Sequence, residues 1–366
     1  MKKFLALFLA LALCLGAVSA LAESVNPADI EDTVTSADGT YDVAFVTDIG
    51  QLKDKSFNEG TWNGVKLYAA ENGLTYKYYQ PANGNQATDD DRYDAMAAAA
   101  KAGAKVIVVA GFMQGTALEK AAKEFPEVKF VFIDGWSLGL DNVIGVAFKE
   151  EQCGYFAGYA VVKEGFTKLG FSGGGGGTNP ACMRYGYGFI QGANKAAEEM
   201  GSNVEIKFTW AYGANFAPSA ELQTLISGWY ETGTEVVFAC GGSIFDSITA
   251  AASANDGAVI GVDVDQSYQS ETVIISALKG ITEGTYQMVA KVFDGTWEGG
   301  AVSLGVSENA VGLPVETWSL ENYSVEEYEA LKAAVAAGEV EIDDAAAEYD
   351  PNAKGPWSNA TVDYVE

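Results

Sequence analysis

The feature that most constrains the fold is an alternation of short apolar segments with amphipathic segments, which begins at Tyr41. The apolar segments carry hydrophobic residues at successive positions, as in Ala104 to Ala110. This pattern is typical of strands that helices bury on both faces of a parallel sheet. The predicted strands span 41–48, 74–79, 104–110, 128–134 and 142–148, and the predicted helices span 57–72, 88–102 and 115–125.

The alternation is repeated after a helical segment at 150–163, and no fixed short period indicates a solenoid. The predicted strands of this second series span 167–172, 203–210, 235–240 and 258–262, with helices at 184–200, 217–231 and 243–255. The segment 271–279, a helix at 281–294 and a strand at 301–306 are interpreted as crossings between two lobes. We therefore predict an α/β protein with two doubly wound parallel-sheet lobes and a ligand cleft at the carboxyl ends of both sheets.

The first residues are typical of a secretory signal peptide. Lys2 and Lys3 precede an apolar run, and small residues around Ala20 and Ala22 follow it. We expect cleavage after Ala22 and a mature protein that is periplasmic or on the cell surface. Lipidation at Cys14 is the alternative, although Cys14 lies inside the apolar run. No later apolar stretch approaches the roughly 20 residues of a membrane span, so membrane association would need a lipid or a partner.

The remaining boundaries follow from changes in composition. Residues 1–22 are the signal peptide and residues 23–39 a polar linker. The first lobe is predicted at 40–149 and the second at 150–270, followed by the crossings and a terminal helix at 271–342. Residues 343–366 form an acidic tail, whose last twenty or so residues we expect to be partly mobile.

The composition excludes several classes of function. The chain has 50 acidic and 22 basic residues and a net charge of −28, which argues against polymeric nucleic acid and anionic membranes as partners. An uncharged nucleoside would not be repelled. The chain has no histidine, which excludes Ser-His-Asp and Cys-His catalysis and most zinc sites. We expect a protein that is not an enzyme and uses no cofactor or metal.

The cysteines and a glycine run leave smaller questions open. After signal cleavage Cys153, Cys182 and Cys240 remain, so at most one intrachain disulfide can form, and its pairing is open. Five glycines at 173–177 are followed by Thr178, whereas a phosphate-binding loop needs Lys before its Ser or Thr. The run is interpreted as a flexible connection or a place where backbone approaches a ligand.

Polar and aromatic residues gather at the predicted strand ends. Three strands end in an aspartate, namely Asp48, Asp134 and Asp263. One such aspartate could simply cap the next helix, but three beside aromatic residues favour a polyhydroxylated ligand, since a carboxylate can accept from two hydroxyls at once. Paired carboxylates also leave glycoside hydrolysis open as an alternative. The other candidates are Phe57, Asn58, Phe112, Phe216, Gly242 and Lys279.

An ordered set of motifs covers nearly the whole mature chain. These motifs are Asp48-Ile49-Gly50 with Asp54-Lys55-Ser56-Phe57-Asn58, Phe130-Val131-Phe132-Ile133-Asp134, Gly186-Tyr187-Gly188-Phe189-Ile190-Gln191-Gly192-Ala193, Ile260-Gly261-Val262-Asp263-Val264-Asp265-Gln266 and Ser276-Ala277-Leu278-Lys279. In this order they resemble the basic membrane protein family of ABC-transporter substrate-binding proteins, which includes purine nucleoside-binding lipoproteins. The resemblance implies a type I periplasmic-binding fold, a nucleoside ligand and a permease partner, and we expect a monomer.

The resemblance also implies roles for the candidate residues. Phe57 and Phe216 would stack on the base, while Asp48, Asn58 and Asp134 would bind its edge. Asp263 and Lys279 would hold the ribose, with Lys279 as the cation that offsets the buried Asp263 carboxylate.

Several points stay open. A sugar or a riboflavin-like molecule remains an alternative ligand, and the sequence does not separate transport from signalling. The second stacking ring is also open, because Trp210 and Tyr212 lie close to Phe216.

Overall fold

The computed structural model describes residues 26–49, 51–345 and 357–365. The predicted signal peptide and Cys14 lie outside these residues. The described chain contains two parallel-sheet lobes with helices on both faces of each sheet, which confirms the predicted fold class.

The elements are numbered in chain order. The first lobe begins with β1 (Val43–Val46), α1 (Phe57–Glu71), β2 (Tyr76–Tyr79), α2 (Asp89–Lys101), β3 (Val106–Ala110), α3 (Gly115–Glu124), β4 (Lys129–Ile133) and β5 (Val143–Phe148). The second contains α4 (Glu150–Glu164), β6 (Lys168–Gly173), α5 (Pro180–Met200), β7 (Val204–Thr209), α6 (Ala220–Glu231), β8 (Val236–Cys240), α7 (Ile244–Ala254), β9 (Ala258–Asp263) and β10 (Val273–Lys279). The chain continues through α8 (Ile281–Phe293), β11 (Gly300–Leu304), β12 (Val311–Gly312), α9 (Val325–Ala336) and β13 (Ala360–Tyr364).

Both sheets are completed by strands from late in the chain. The strand order is β11-β5-β4-β3-β1-β2 in the first sheet and β12-β10-β9-β8-β6-β7-β13 in the second. The chain therefore passes between the lobes three times, at Lys149, at Gly280 and through 305–310. The segment 271–279 differs from its interpretation as a crossing, because β10 pairs in parallel with β9 inside the second sheet.

Both ends of the described chain are attached to the body. In the predicted linker, Val34 pairs with Tyr76, and the Lys66 ammonium donates to the Pro27 carbonyl at 2.8 Å. Residues 360–364 differ from the expectation of a mobile tail, because β13 pairs in parallel with β7. Val362 and Tyr364 pack on the core of the second lobe, and without β13 the strand β7 would be an open sheet edge.

Helices α4 and α5 approach each other unusually closely through glycines. A Cβ atom at Gly158 would lie 2.1 Å from the Phe189 carbonyl oxygen, and one at Gly192 would lie 2.0 Å from the Tyr155 carbonyl oxygen. The two backbones are therefore in direct contact, which fixes the two helices relative to each other. Within the described ranges, no helix combines the length and apolar character that crossing a bilayer requires.

Candidate functional site

A cavity lies between the lobes at the carboxyl ends of strands from both sheets. Its empty volume, including the opening to solvent, is about 590 Å³, which is within the usual range for small-molecule sites. The first lobe contributes Asp48, Ile49, Asp54, Phe57, Asn58, Gly111 and Asp134. The second contributes Asn179, Ala181, Cys182, Tyr185, Phe216, Cys240, Gly241, Gly242, Ser243, Val262, Asp263 and Lys279.

Eight of the nine residues singled out from the sequence line this cavity. The exception is Phe112, which begins a short 3-10 turn after β3, while its neighbour Gly111 reaches the cavity instead. That these side chains bind a ligand remains a prediction.

The loop between β1 and α1 is held by Asp54 and Asn58. The Asp54 carboxylate accepts from the backbone N–H groups of Ser56, Asn58 and Glu59 at 3.0–3.1 Å, and so caps α1. The Asn58 side chain accepts from the Asp48 N–H at 2.9 Å and donates to Asp54 and to the Ile49 carbonyl. The carbonyl oxygen and the NH2 group of the Asn58 side chain are thus both hydrogen-bonded within the loop, which gives Asn58 a positioning role beside Asp48.

Asp48 brings a buried carboxyl group to the cavity. Its Oδ1 is shielded from solvent and has no hydrogen-bond partner among the residues that the structure describes. Desolvation raises the pKa of Asp48 to about 7, although the Ile49 N–H and the Arg92 charge oppose the shift. A buried carboxyl oxygen without a partner is costly, so Asp48 Oδ1 is suited to a polar atom of a bound molecule.

Lys279, the last residue of β10, joins the two lobes by ion pairs. Its Nζ lies 2.6 Å from Asp134 Oδ1 and 2.8 Å from Glu150 Oε1, with 1% of the side chain exposed. Burial alone would lower the pKa of Lys279, but the charges of Asp134, Glu150 and Asp263 raise it above its usual value. Lys279 is therefore a permanent cation in the cavity wall.

The pKa values of the two carboxyl groups beside Lys279 are shifted in opposite directions. Burial raises the pKa of Asp134 to about 6 against the opposing charge of Lys279. Burial also disfavours ionisation of Glu150, but Lys279 and Arg184 together lower its pKa below the usual value. The Arg184 Nε lies 2.6 Å from Glu150 Oε2, so Glu150 stays ionised between two cations.

The Asp263 carboxylate is held by hydroxyl groups from both lobes. Its carboxylate accepts from the Ser56 hydroxyl of the first lobe and from the Tyr185 hydroxyl of α5, the latter at 3.1 Å. The ion pairs of Lys279 are to Asp134 and Glu150, and the nearby Asp263 charge also raises the pKa of Lys279. That Lys279 and Asp263 together hold a ribose stays a prediction. Lys279 lies beside Asp134 and Glu150 because of the topology. It ends β10 at a crossing between the lobes, where β4 also ends and α4 begins.

Two aromatic rings reach the cavity from opposite lobes. Phe57 begins α1, and the Lys279 Nζ lies 5.2 Å from the centre of its ring. Phe216 lies in the loop after β7 with a positive φ of 54°. Trp210 instead packs edge-on against Phe171 and Phe208, and Tyr212 is 54% exposed. Phe216 is thus the residue of this aromatic group that lines the cavity.

The glycine run provides room for these rings. A Cβ atom at Gly173 would lie 2.0 Å from the Trp210 ring, and one at Gly174 would lie 2.3 Å from the Phe216 ring. The first two glycines of the run are therefore required by ring packing. This is more specific than the flexible connection inferred from the sequence.

Strained backbone is concentrated in the cavity wall. Asp134, Phe216 and Asp263 all have positive φ values, of 54°, 54° and 65°. Such conformations are unfavourable for residues with a Cβ atom and often occur at functional sites.

Several residues of the site were missed from the sequence. Glu150 follows β5 by two positions, so the strand-end criterion that selected the aspartates would also have found it. Tyr185 and Cys182 reach the cavity because α5 begins at Pro180, four residues before its predicted start, with Asn179 as its N-cap. The Asn179-Pro180 pair was the available signal. Ser56 was overlooked because its partner Asp263 is distant in sequence.

Comparisons with known proteins agree with this geometry. The profile of the family described as ABC transporter substrate-binding protein PnrA-like matches residues 41–345. The ABC transporter nucleoside-binding protein BmpA of Lactococcus lactis subsp. cremoris is 28% identical over 71% of this chain and 77% of its own length. Basic membrane protein B of Borreliella burgdorferi is 33% identical over 58% of this chain and 63% of its own length.

Solved structures support the same fold. A solute-binding protein of an ABC transporter system from Aeropyrum pernix K1 aligns with a TM-score of 0.70 at 24% identity, over 82% of this chain and 92% of its own. A corresponding protein from Conexibacter woesei aligns with a TM-score of 0.66 at 19% identity, over 83% and 98%. The match over residues 41–345 covers well over half of the sequence, and the chain therefore belongs to the family of PnrA-like ABC transporter substrate-binding proteins.

Proposed function

We propose that this protein binds a nucleoside, preferably a purine nucleoside, outside the cytoplasm and delivers it to the permease of an ABC transporter. The observation that carries the proposal is the combination of Phe57 and Phe216 with the buried Asp48 Oδ1, which has no hydrogen-bond partner among the described residues, in one cavity. A base offers flat faces for aromatic rings and polar edges for a carboxyl group. Stacking of this kind is worth about 1–3 kcal/mol per base.

The charges of the cavity support a neutral ligand with hydroxyl groups. Asp48, Asp54, Asp134 and Asp263 line the cavity, with Lys279 as the cation among the lining residues that the structure describes. An additional anion would face this excess of carboxyl groups, whereas ribose hydroxyls can donate to carboxylates in charge-assisted bonds. The name of the Lactococcus lactis relative includes nucleoside binding, which points in the same direction.

The cellular role follows from the family and the first residues. Substrate-binding proteins of ABC transporters act with permease and ATPase partners. Together with the predicted signal peptide, this supports a monomeric receptor at the outer face of the membrane. A relative from Pyrococcus horikoshii is named a lipoprotein, which supports lipidation at Cys14 as the alternative to cleavage after Ala22.

A thermal unfolding series tests the ligand class. We expect inosine, guanosine or adenosine to raise the melting temperature, because a ligand at about 100 times its Kd adds about 2.7 kcal/mol of stability. Stabilisation by glucose, ribose or riboflavin and by no nucleoside would contradict the proposal. Chromatography of the incubated nucleoside should return it intact, and release of free base would instead support a hydrolase.

Matched aromatic variants test the site. Phe216→Ala should weaken nucleoside binding by about 1–3 kcal/mol if its ring stacks on the base. Tyr212→Ala is the control, because Tyr212 lies in the same loop but is 54% exposed. Equal effects of the two variants on the Kd would place the base elsewhere.

A further inference from the structure

Two thiols lie in the cavity wall and are not used by the proposed nucleoside contacts. Cys182 is in the first turn of α5, and Cys240 is the last residue of β8. Both line the cavity, and their exposed fractions are 6% and 1%. The Cys182 Sγ lies 3.7 Å from the carbonyl oxygen of Cys240, so the Cys182 thiol contacts the backbone of Cys240.

The third cysteine occupies a different environment. Cys153 is buried on α4, where its Sγ lies 3.2 Å from the Leu278 carbonyl oxygen. It does not line the cavity, although it is as well shielded as Cys240. All three cysteines are free in the structure. Of the three, Cys182 and Cys240 share the cavity, which favours them as the pair that the sequence left open.

We propose that Cys182 and Cys240 form a dithiol site in the cavity wall, which a thiol-specific oxidant of the azo class converts into an intrachain disulfide. The Cys182 sulfur adds to one nitrogen of the N=N bond, and the other nitrogen takes up a proton. The Cys240 sulfur then attacks the Cys182 sulfur, the S–N bond breaks, and a second proton goes to nitrogen. Two thiols are oxidised to one disulfide while the azo compound is reduced to a hydrazine.

The order of the two steps follows from the surroundings of the thiols. Burial raises the pKa of the Cys240 thiol well above its usual value, and a hydrogen bond with Cys182 adds to the shift. Cys240 therefore acts second, as the resolving thiol. Cys182, in the first turn of α5, is the more exposed of the two thiols, at 6% against 1% for Cys240, and so meets the oxidant first.

The disulfide should also alter the ligand site, a consequence that rests on the proposed nucleoside function. A disulfide holds its sulfurs about 2.05 Å apart, which is closer than any noncovalent contact. Its formation pulls the first turn of α5 towards the end of β8. Tyr185 is one turn further along α5 and donates to Asp263, so the oxidised protein should bind the nucleoside more weakly.

Peptide mapping of the whole protein tests the thiol pair without reference to any ligand. The reduced protein is treated with diamide, unfolded, alkylated and digested without reduction. We expect the peptides of Cys182 and Cys240 to be joined with the loss of two hydrogens, while Cys153 is alkylated. Separate alkylation of Cys182 and Cys240, or a crosslink that contains Cys153, would overturn the proposal. Cys153→Ser should keep the crosslink and Cys182→Ser should abolish it.

Calorimetric titration with inosine tests the consequence for binding. We expect diamide to weaken binding at least tenfold and dithiothreitol to restore it, while Cys182→Ser should be insensitive to diamide. An unchanged affinity of the crosslinked protein would overturn the predicted effect on the cavity. If inosine does not bind at all, the nucleoside proposal fails, but the crosslink is still decided by the peptide map.

Discussion

Lys279 is the residue at which the charged contacts of the cavity meet. It pairs with Asp134 from the first lobe and with Glu150 at the start of α4, and all three side chains are largely buried. Removal of one partner from a buried ion pair leaves an uncompensated charge, which typically costs about 3–5 kcal/mol. Loss of any one of the three side chains should therefore destabilise the fold as well as alter the cavity wall.

Replacement of Lys279 tests this network. Lys279→Met should lower the free energy of unfolding by about 3–5 kcal/mol in urea titrations near pH 8. Lys105→Met is the control, because the Lys105–Asp42 pair has a similar distance of 2.9 Å but its lysine side chain is 63% exposed. Such a surface pair is worth at most about 1 kcal/mol. A loss for Lys279→Met as small as that for Lys105→Met would contradict the account.

Asp48 should make the free energy of unfolding fall as the pH rises from acidic to neutral. Its pKa is raised from 3.8 to about 7, so the folded protein holds a proton that the unfolded chain releases above pH 4. The stabilisation is complete below about pH 4 and is lost as the pH rises through 7. The raised pKa values of Asp54 and Asp134, both about 6, act in the same direction.

The variant Asp48→Asn isolates this contribution, because asparagine does not titrate. Between pH 5 and 7 the free energy of unfolding of the wild type should fall relative to Asp48→Asn, by at most about 1.4 kcal/mol per pH unit. Asp256→Asn, at an exposed position with positive φ, is the control and should run parallel to the wild type. Parallel curves for Asp48→Asn as well would show that Asp48 is ionised throughout.

Some residues of the site could be predicted from the sequence, but most of their contacts could not. The strand-end aspartates could be predicted, because a parallel sheet brings the carboxyl ends of its strands to one edge. Their partners could not, because Ser56 and Asp263 are joined only by closure of one lobe on the other. The hydrogen bonds of Asn58 to Asp48 and Asp54 could not be read from the sequence either, and its predicted contact with the ligand stays a prediction.

At the scale of elements, the α4–α5 contact sets the position of the cavity wall. Glu150 lies in the first turn of α4 and Tyr185 in the second turn of α5, and the glycines let the two backbones touch. A side chain at one of these glycines would force the helices apart and displace both residues together. The helices are thus supports for the site as well as core elements.

Two glycine substitutions test this arrangement. Gly158→Ala should destabilise the protein by about 1–3 kcal/mol or more in urea titrations, since its Cβ would meet backbone that cannot rotate away. Gly228→Ala in α6 is the control, because nothing lies within 4 Å of its Cβ position. That variant should gain about 0.5–1 kcal/mol from helix propensity. If both substitutions changed the free energy of unfolding in the same direction, the close contact between α4 and α5 would be contradicted.

Strands with a strong hydrophobic pattern could be predicted from the sequence, whereas a strand with a weak pattern was missed. The apolar runs of β3 and β4 are unambiguous, because buried parallel strands leave few polar positions. β13 was missed because Ala360 to Tyr364 alternates between inner and outer positions within an acidic segment. Its pairing depends on the free edge of β7, which is a tertiary property that local sequence does not contain.

At the scale of the whole molecule, three crossings connect two lobes around one cavity. The lobes also touch across the cleft, where the Gln266 side chain donates to the Lys55 carbonyl at 3.0 Å and Lys55 Nζ lies 3.4 Å from Asp246. A ligand bound between the lobes would contact both of them at once. Binding therefore favours this closed arrangement, because the free energy of contact is complete only when both walls are present.

The most direct test of the account is calorimetric titration of protein that has been unfolded, freed of small molecules and refolded. Inosine, guanosine and adenosine are compared with ribose, glucose and riboflavin, each with the wild type and with Phe216→Ala. The account predicts saturable binding of at least one nucleoside by the wild type, weakened roughly 5- to 150-fold in Phe216→Ala, the equivalent of about 1–3 kcal/mol. Saturable binding of a sugar or of riboflavin, with no heat from any nucleoside, would contradict it.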